Sequence, residues 1–426
     1  MDSMTIENEK NSIFNGILGF STFCLALYQV FPVFRSLPQN TYIEFLFFGM
    51  WLVSYFFARN NKMNFRGYLG AVTIFSLYTI GIPRFFDNAV LSNRYASVTV
   101  GFTFFLTYLH LKEDGLIDMG WKIIKLVSPF YLFTVIRTMI ELMTNPYVSR
   151  SIKSTGEASK ALLRQGVGGY YLIYMSVIVA AILMYLILNT KGSRLGSAKK
   201  LILFIFAAVV IRLIMLSNYF TALGIVTICL CLCISLRAYQ NSPWLGIFIF
   251  GVVFLILIVK GADIFIWLLE SIKGIFAEGR TLDRINMTIN DLKSGNDLSI
   301  FGSRDYTIER SRELLKSNIF LGICVQPSLI VDNRIIGVGQ HSHIWDTLAF
   351  YGLPAGILNI YLYLKPFIMK FREGQNFRTM SLVTGAATMI LLYANNYSAS
   401  ICFVAYFVFP LVLDYINKTN KVKEVG

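Results

Sequence analysis

The sequence predicts an all-α polytopic membrane protein with about twelve transmembrane helices and a long, partly helical outer loop. Three observations lead to this fold class. Hydrophobic residues make up 55% of the 426 residues and charged residues only 15%, which is more apolar surface than a water-soluble fold of this length buries. The apolar residues form runs of about 20, the length at which a helix crosses the hydrocarbon of a bilayer. Lys and Arg concentrate between these runs, as expected for a protein whose topology is set by basic loops.

The predicted spans follow the apolar runs in order. They cover residues 13–31, 41–58, 67–82, 94–111, 122–142, 168–189, 199–216, 218–236, 243–260, 345–364, 379–394 and 396–416. Only Ser217-Asn218 separates the seventh span from the eighth, and Asn395-Asn396 separates the last two. Either pair also fits a re-entrant hairpin, so the count ranges from about ten to thirteen. The polar N-terminal segment has no small-residue cleavage site, which indicates that the first span stays in the mature protein.

The orientation follows from the basic residues of the short loops. When both chain ends are cytoplasmic, four strongly basic segments all fall on the cytoplasmic side. These segments are 59–66, 190–200, 365–378 and the C-terminal tail. The predicted organisation is nine transmembrane helices over residues 1–260, a large extracytoplasmic loop over 261–344, and three transmembrane helices with a basic cytoplasmic tail over 345–426.

The net charge of +14 does not indicate nucleic-acid binding in this chain. Topology and anionic head groups explain the Lys and Arg, so membrane lipids are expected as partners and nucleic acid is not. The spacing Cys229-x-Cys231-x-Cys233 invites a metal, but alternate helix residues do not share a face and no histidine lies nearby. Packing explains these cysteines better, and no metal is expected.

Several basic residues on the outer side run against the topology rule. Arg150 and three further basic residues lie in the outer loop 143–167, and Arg212 lies inside an apolar run near its outer end. Charge within the membrane indicates function by default. For Arg212, which has no carboxylate within one turn, snorkelling to the interface and ligand binding both stay open. The loop arginines also fit a solvated face that binds anionic head groups, and Arg137 favours an ion pair with Glu141.

Arginines at an outward-facing lipid interface suit a ligand with an apolar tail and a phosphate or diphosphate head. The planar guanidinium matches phosphate oxygens in a bidentate manner. In the long outer loop the arginines outnumber the lysines, and they are Arg280, Arg284, Arg304, Arg310, Arg312 and Arg334. Because the carboxylates of the loop outweigh its basic residues slightly, selected arginines rather than bulk charge would bind the ligand.

Three short phrases mark the outer loop and the span that follows it. They are Gly302-Ser303-Arg304, Phe320-Leu321-Gly322, and His341-Ser342 followed by Leu348 and Gly352. In this order they resemble the outer loop of the O-antigen polymerase and O-antigen ligase superfamily, whose members move glycans from an undecaprenyl diphosphate carrier. The close match covers about 55 residues, and the hydropathy profile extends the resemblance over the whole chain.

The resemblance implies a GT-C-like glycosyltransferase in the bacterial cytoplasmic membrane, with its active site on the extracytoplasmic face. It would polymerise undecaprenyl-diphosphate-linked oligosaccharides, as both donor and acceptor, in a metal-independent, inverting reaction without a cofactor. A flippase and a chain-length regulator are the implied protein partners. By matching position, His341 would be the base, a role that suits imidazole near neutral pH. Arg304 would bind the diphosphate, whose developing charge needs fixed cations, and Arg310 is expected to assist it.

A looser resemblance lies upstream, in residues 145–150 and 166–174. It places Arg150 where polymerases of this superfamily carry an arginine. The chain departs from the superfamily at Ser217-Asn218-Tyr219, where a Ser-Arg pair often opens the span after the seventh. Arg212, about one turn earlier, is the candidate replacement.

Other residues of the third phrase have simpler explanations. His343 is the expected bystander, because two residues apart on a helix point in different directions, although a swap of roles with His341 stays open. Gly352 and Gly356 are expected to serve close helix packing.

Two other functions fit parts of the sequence. A ligase of the same superfamily would pass the glycan to another lipid or surface acceptor, and the sequence does not separate the acceptors. A lipid-linked glycan flippase or transporter would also have a basic, lipid-facing cavity. It predicts internal repeats or coupling-ion residues at mid-membrane, and it gives no reason for the outer loop with His341.

Overall fold

The computed structural model describes most of the chain. The described residues are 3–58, 66–86, 96–152, 156–189, 197–242, 244, 263, 266–267, 269–271, 273–274, 280–294, 299–325, 330–331, 334–335, 342–373, 375–395 and 398–415. They form two compact units. The first comprises Met1–Met175, Ile357–Met369 and Tyr397–Gly426, and the second comprises Ser176–Gly356 and Lys370–Asn396.

The described chain is almost entirely helical. In chain order the helices are α1 Ser3–Val30, α2 Asn40–Ala58, α3 Arg66–Ser76, α4 Ala96–Glu113, α5 Ile117–Thr144, α6 Glu157–Arg164, α7 Tyr170–Asn189, α8 Ser197–Leu216, α9 Phe220–Asn241, α10 Arg280–Ser294, α11 Ser299–Ser317, α12 His343–Arg372, α13 Gln375–Ala394 and α14 Ala399–Tyr415. Helix α3 continues through a π-helical turn, Leu77–Gly81, into Ile82–Phe85, and α14 contains a second π-helical turn, Phe403–Val408. Among the described residues the β structure is one antiparallel pair, β1 Ile330–Val331 and β2 Arg334–Ile335.

Six helices are long and apolar enough to cross a membrane, which agrees with an all-α membrane protein. They are Ser12–Val30 within α1, Asn40–Ala58, Ile117–Thr144, Tyr170–Leu188, Phe220–Gln240 and His343–Arg372. The other predicted spans coincide with α3, α4, α8, α13 and α14, except for the predicted span 243–260, which apart from Trp244 lies outside the described residues.

The first unit packs its helices through small residues and buried polar contacts. A Cβ atom at Gly101 in α4 would collide with Cys402 in α14, so the two helices approach closely at this point. The indole Nε1 of Trp51 donates to Thr107 Oγ1 at 2.8 Å, which links α2 to α4. Hydrogen bonds of this kind satisfy polar groups that have no access to water.

The second unit joins apolar helices to part of the polar region 261–344. Gln240 Nε2 at the end of α9 donates to Thr379 Oγ1 in α13 at 2.7 Å. Leu269, Ile285 and Ile289 form a buried apolar cluster, so the apolar face of α10 is covered. Helices α10 and α11 lie within residues 261–344, which the sequence predicts to be partly helical.

Candidate functional site

The site is built around the first turn of α12, directly after the His341-Ser342 phrase. Ser342 is the N-cap of this helix, and its Oγ accepts a hydrogen bond from Trp345 N at 3.4 Å. His343 is buried, and its backbone N–H donates to the carbonyl of Asn395 at 3.1 Å. The start of α12 is therefore held by its own cap and by the end of α13.

Helix α11 docks on this first turn through buried polar groups. The hydroxyl of Ser311 donates to Asp346 Oδ1 at 3.3 Å, and both residues are 1% exposed. Beside this contact, the guanidinium of Arg312 lies 4.7 Å from the centre of the Trp345 ring, within cation–π range. Two adjacent residues of α11 thus contact two adjacent residues of α12.

The segment after α11 docks on α12 a second time. Helix α12 is interrupted at Gly352, whose φ of 81° and ψ of −178° are not helical. The interruption leaves backbone groups without helical partners, and the segment supplies them: Leu353 N donates to the Ile319 carbonyl at 2.7 Å, and the Cys324 thiol donates to the Phe350 carbonyl at 3.2 Å. The backbone of Phe320-Leu321-Gly322 is in this way fitted into a break in a membrane helix.

Glycine is required on both sides of this contact. A Cβ atom at Gly352 would collide with the Phe320 carbonyl, and one at Gly322 would collide with the Ala349 carbonyl. Both glycines also have positive φ, 81° and 57°, which costs other residues conformational energy. The expectation of close packing at Gly352 is confirmed, but the partner is the backbone of Phe320 and Leu321 rather than another helix.

His341 and Arg304 are the two residues central to the predicted site. His341 lies outside the described residues, directly before the capping residue Ser342. The backbone of Arg304 lies in the first half of α11. Residues 304, 308 and 311 follow the spacing of one helix face, and Ile308 and Ser311 are both buried. Position 304 therefore belongs to the docked face of α11.

Arg310 lies on the exposed part of α11. Its side chain is 47% exposed and forms an ion pair with Glu313 at 3.1 Å. An exposed pair of this kind holds its partners weakly, so Arg310 is accessible from solvent, although the structure does not bring it into the docked contact.

Arg212 lies in α8 beside an apolar cavity of about 440 Å³. The cavity is formed by α7 and α8, with Leu230 from α9, and its other lining side chains, which include Met184 and Phe204, are all apolar. Arg212 itself is exposed, and no ion pair joins it to another side chain of the described ranges. A cation at an apolar cavity is a favourable neighbour for an anionic group that carries a hydrocarbon chain.

Arg150 belongs to the first compact unit, whereas Arg212, Arg304 and Arg310 belong to the second. It lies in the single helical turn Val148–Ser151 and is half-buried. In the same unit, Arg137 and Glu141 form an ion pair of 2.5 Å, and Arg137 also donates to Gln165 Oε1 at 3.1 Å. The predicted pairing of Arg137 is therefore confirmed.

Sequence patterns did not single out Arg35, which follows the first span. Its Nη2 donates to Gln29 Oε1 at 3.0 Å and to Ser400 Oγ at 2.7 Å, and its guanidinium lies 4.8 Å from the centre of the Tyr171 ring. Arg35 thus links three parts of the first unit. The sequence signal was weak, because no carboxylate lies within four residues of Arg35 in the chain.

The cysteines of α9 lie on different faces. Cys229 and Cys233 are buried and Cys231 is exposed, as the helical period requires for residues two apart. Among the described residues, no group of three or more His, Cys, Asp or Glu side chains is arranged to hold a metal ion.

Two exposed carboxylates, Glu157 and Glu270, are paired with lysines. A hydrogen bond from Lys293 lowers the pKa of Glu270, and one from Lys160 lowers the pKa of Glu157. These groups keep their charge at neutral pH and are separate from the docked contact of α11.

No protein-family model matches the chain, and no curated protein matches it.

Proposed function

We propose that this protein is a membrane glycosyltransferase that polymerises undecaprenyl-diphosphate-linked oligosaccharide repeat units on the outer face of the bacterial cytoplasmic membrane. The observation that carries the proposal is the docking of α11 on α12. It joins the helix of Gly302-Ser303-Arg304 to the first turn after His341-Ser342 by a buried contact between Ser311 and Asp346. The Phe320-Leu321-Gly322 phrase packs on the same helix at Gly352.

The proposed reaction needs a base and fixed cations. His341 takes the proton of the acceptor sugar hydroxyl as that oxygen attacks the anomeric carbon of the donor. The bond from that carbon to the diphosphate oxygen breaks, and Arg304 and Arg310 stabilise the charge that develops on the leaving diphosphate. The anomeric configuration is inverted, and the proposed mechanism uses no metal.

The cavity beside Arg212 supports a substrate with a hydrocarbon chain. Its lining is apolar except for Arg212. The apolar side chains suit an isoprenoid chain, and the guanidinium suits a diphosphate. Arg150 is proposed as a further diphosphate ligand, in line with the looser resemblance of its loop.

The proposed architecture has about twelve spans in a GT-C-like arrangement. Helices over the predicted spans support it, including α3, α4, α8, α13 and α14, which are shorter or more polar than the six clear membrane-crossing helices. In this arrangement α10 and α11 lie outside the membrane, on the face where lipid-linked repeat units are exposed.

The reaction is tested with purified protein in lipid nanodiscs and an undecaprenyl-diphosphate-linked repeat unit, without nucleotide sugar or added metal. We expect a ladder of lengthening glycans on gels, and a loss of at least 100-fold in rate for His341→Ala. Wild-type rates in His341→Ala would refute the assignment of the base. His343→Ala is the matched variant two residues away, and a loss confined to it would reverse the two roles.

The products also separate the polymerase from its closest rival. A polymerase joins two repeat units that are both linked to undecaprenyl diphosphate. A ligase passes each glycan to a different lipid, so repeat units would never dimerise and a second labelled lipid would be glycosylated instead. Movement of labelled lipid across the bilayer without any new glycosidic bond would show a transporter.

A further inference from the structure

The structure carries one inference about how the proposed site is held together. We propose that Asp346 is a positioning residue, which holds α11, and with it Arg304, against the start of α12 through its contact with Ser311. The inference rests on the proposed function, because it concerns the same site, but its first test does not depend on catalysis.

Burial makes this contact significant. Asp346 and Ser311 are each 1% exposed, although the remainder of α11 carries exposed charged side chains such as Arg310 and Glu313. A carboxylate removed from water is costly unless hydrogen bonds compensate. An apolar residue would pack at this place without that cost, so the carboxylate at position 346 indicates a need for a defined geometry.

The contact lies close in sequence to both residues of the proposed site. Asp346 follows His341 by five residues, in the first turn of α12, and Ser311 follows Arg304 by seven, which is two helical turns on the same face. The contact thus joins the two helix segments that lead to the proposed base and the proposed diphosphate ligand. The stacking of Arg312 on Trp345 flanks it.

The second attachment, at Gly352, does not replace the first. It fixes the C-terminal end of α11 through the segment 318–324, whereas Ser311 lies two turns closer to Arg304. Without the Ser311–Asp346 contact, the first half of α11 is held less firmly, because the segment 318–324 and the stacking of Arg312 on Trp345 act further along the helix. Displacements of about 1 Å are enough to reduce catalysis strongly.

The first test measures amide hydrogen exchange of full-length protein in detergent. In Ser311→Ala we expect exchange in residues 304–315 to rise about fivefold, the effect of one lost hydrogen bond, with no change in α9. Ser317→Ala is the matched control, because Ser317 is exposed on the same helix and its hydroxyl donates to the Leu314 carbonyl of that helix. Equal exchange in Ser311→Ala and wild type would overturn the inference.

The second test compares three substitutions by activity. Asp346→Ala should lower kcat at least tenfold, whereas Asp346→Asn, which keeps an acceptor oxygen for Ser311, should retain most of it. Because Asp346 acts through Arg304, Arg304→Ala combined with Asp346→Ala should lose little more than Arg304→Ala alone. Losses that multiply would refute positioning. If wild type forms no polymer, the proposed function fails, while the exchange experiment still decides the contact.

Discussion

At the scale of single residues, Gly352 shows why the third sequence phrase contains a glycine. Its positive φ interrupts α12, and the Phe320 carbonyl occupies the place where a Cβ atom would lie. Two independent requirements, backbone conformation and close approach, therefore select glycine at one position. The sequence predicted close packing here, but the partner segment, about 30 residues upstream, was not predictable from local pattern.

We predict that Gly352→Ala destabilises the protein by about 2 kcal/mol or more, because backbone strain and a backbone collision add. Thermal melting in detergent, followed by size-exclusion chromatography, measures the loss. Gly224→Ala is the control in the same compact unit, since a Cβ there meets no atom within 4 Å. It should leave stability unchanged or raise it slightly, because alanine favours a helix interior. Equal melting of the two variants would contradict the prediction.

At the scale of elements, the sequence predicts where the helices lie, but it does not predict which segments contact one another. Apolar runs predicted both ends of α2, α5, α7 and α9 within about five residues, because hydropathy and helical hydrogen bonds are local properties. For α1 they predicted the C-terminal end, whereas the helix begins earlier, at Ser3, in the polar N-terminal segment. Within one helix, a pair such as Arg137 and Glu141 is equally local, since residues four apart lie on one face.

We predict that the Arg137–Glu141 pair is structural. Glu141→Gln leaves Arg137 without its carboxylate, although the hydrogen bond to Gln165 remains, and should cost about 1–2 kcal/mol. Arg137→Gln should cost a similar amount. The double variant should recover most of the lost stability, because neither charge then remains without its partner. The melting temperatures of the three variants test this prediction. If the double variant loses as much stability as the two single variants together, the two residues act separately.

At the scale of the whole molecule, charge predicts which loops share a side of the membrane. The turn before α8 is basic, so we expect it on the cytoplasmic side, and we expect the region of α10 and α11 on the opposite side. The same charges predict an outward-facing candidate site, because α11 carries position 304 and docks on the first turn of α12.

We predict that a cysteine at Lys316, 75% exposed on α11, reacts with a membrane-impermeant maleimide in intact cells. A cysteine at Lys199, in the first turn of α8, should react only after the membrane is permeabilised. Both are introduced in a Cys231→Ala background, which removes the exposed native thiol. The reverse labelling pattern would place the candidate site in the cytoplasm and exclude the proposed function.

The sequence by itself determined that this protein is helical and resides in a membrane, and it identified the phrases around Arg304 and His341. Composition, apolar run length and loop charge are sufficient for that, because lipid leaves helices few alternatives. Only the tertiary structure decided that Ser311 reaches Asp346, 35 residues later, and that Phe320 fits against Gly352. Such contacts depend on how separate segments dock, and serine, aspartate and glycine have the same local preferences wherever their partners lie.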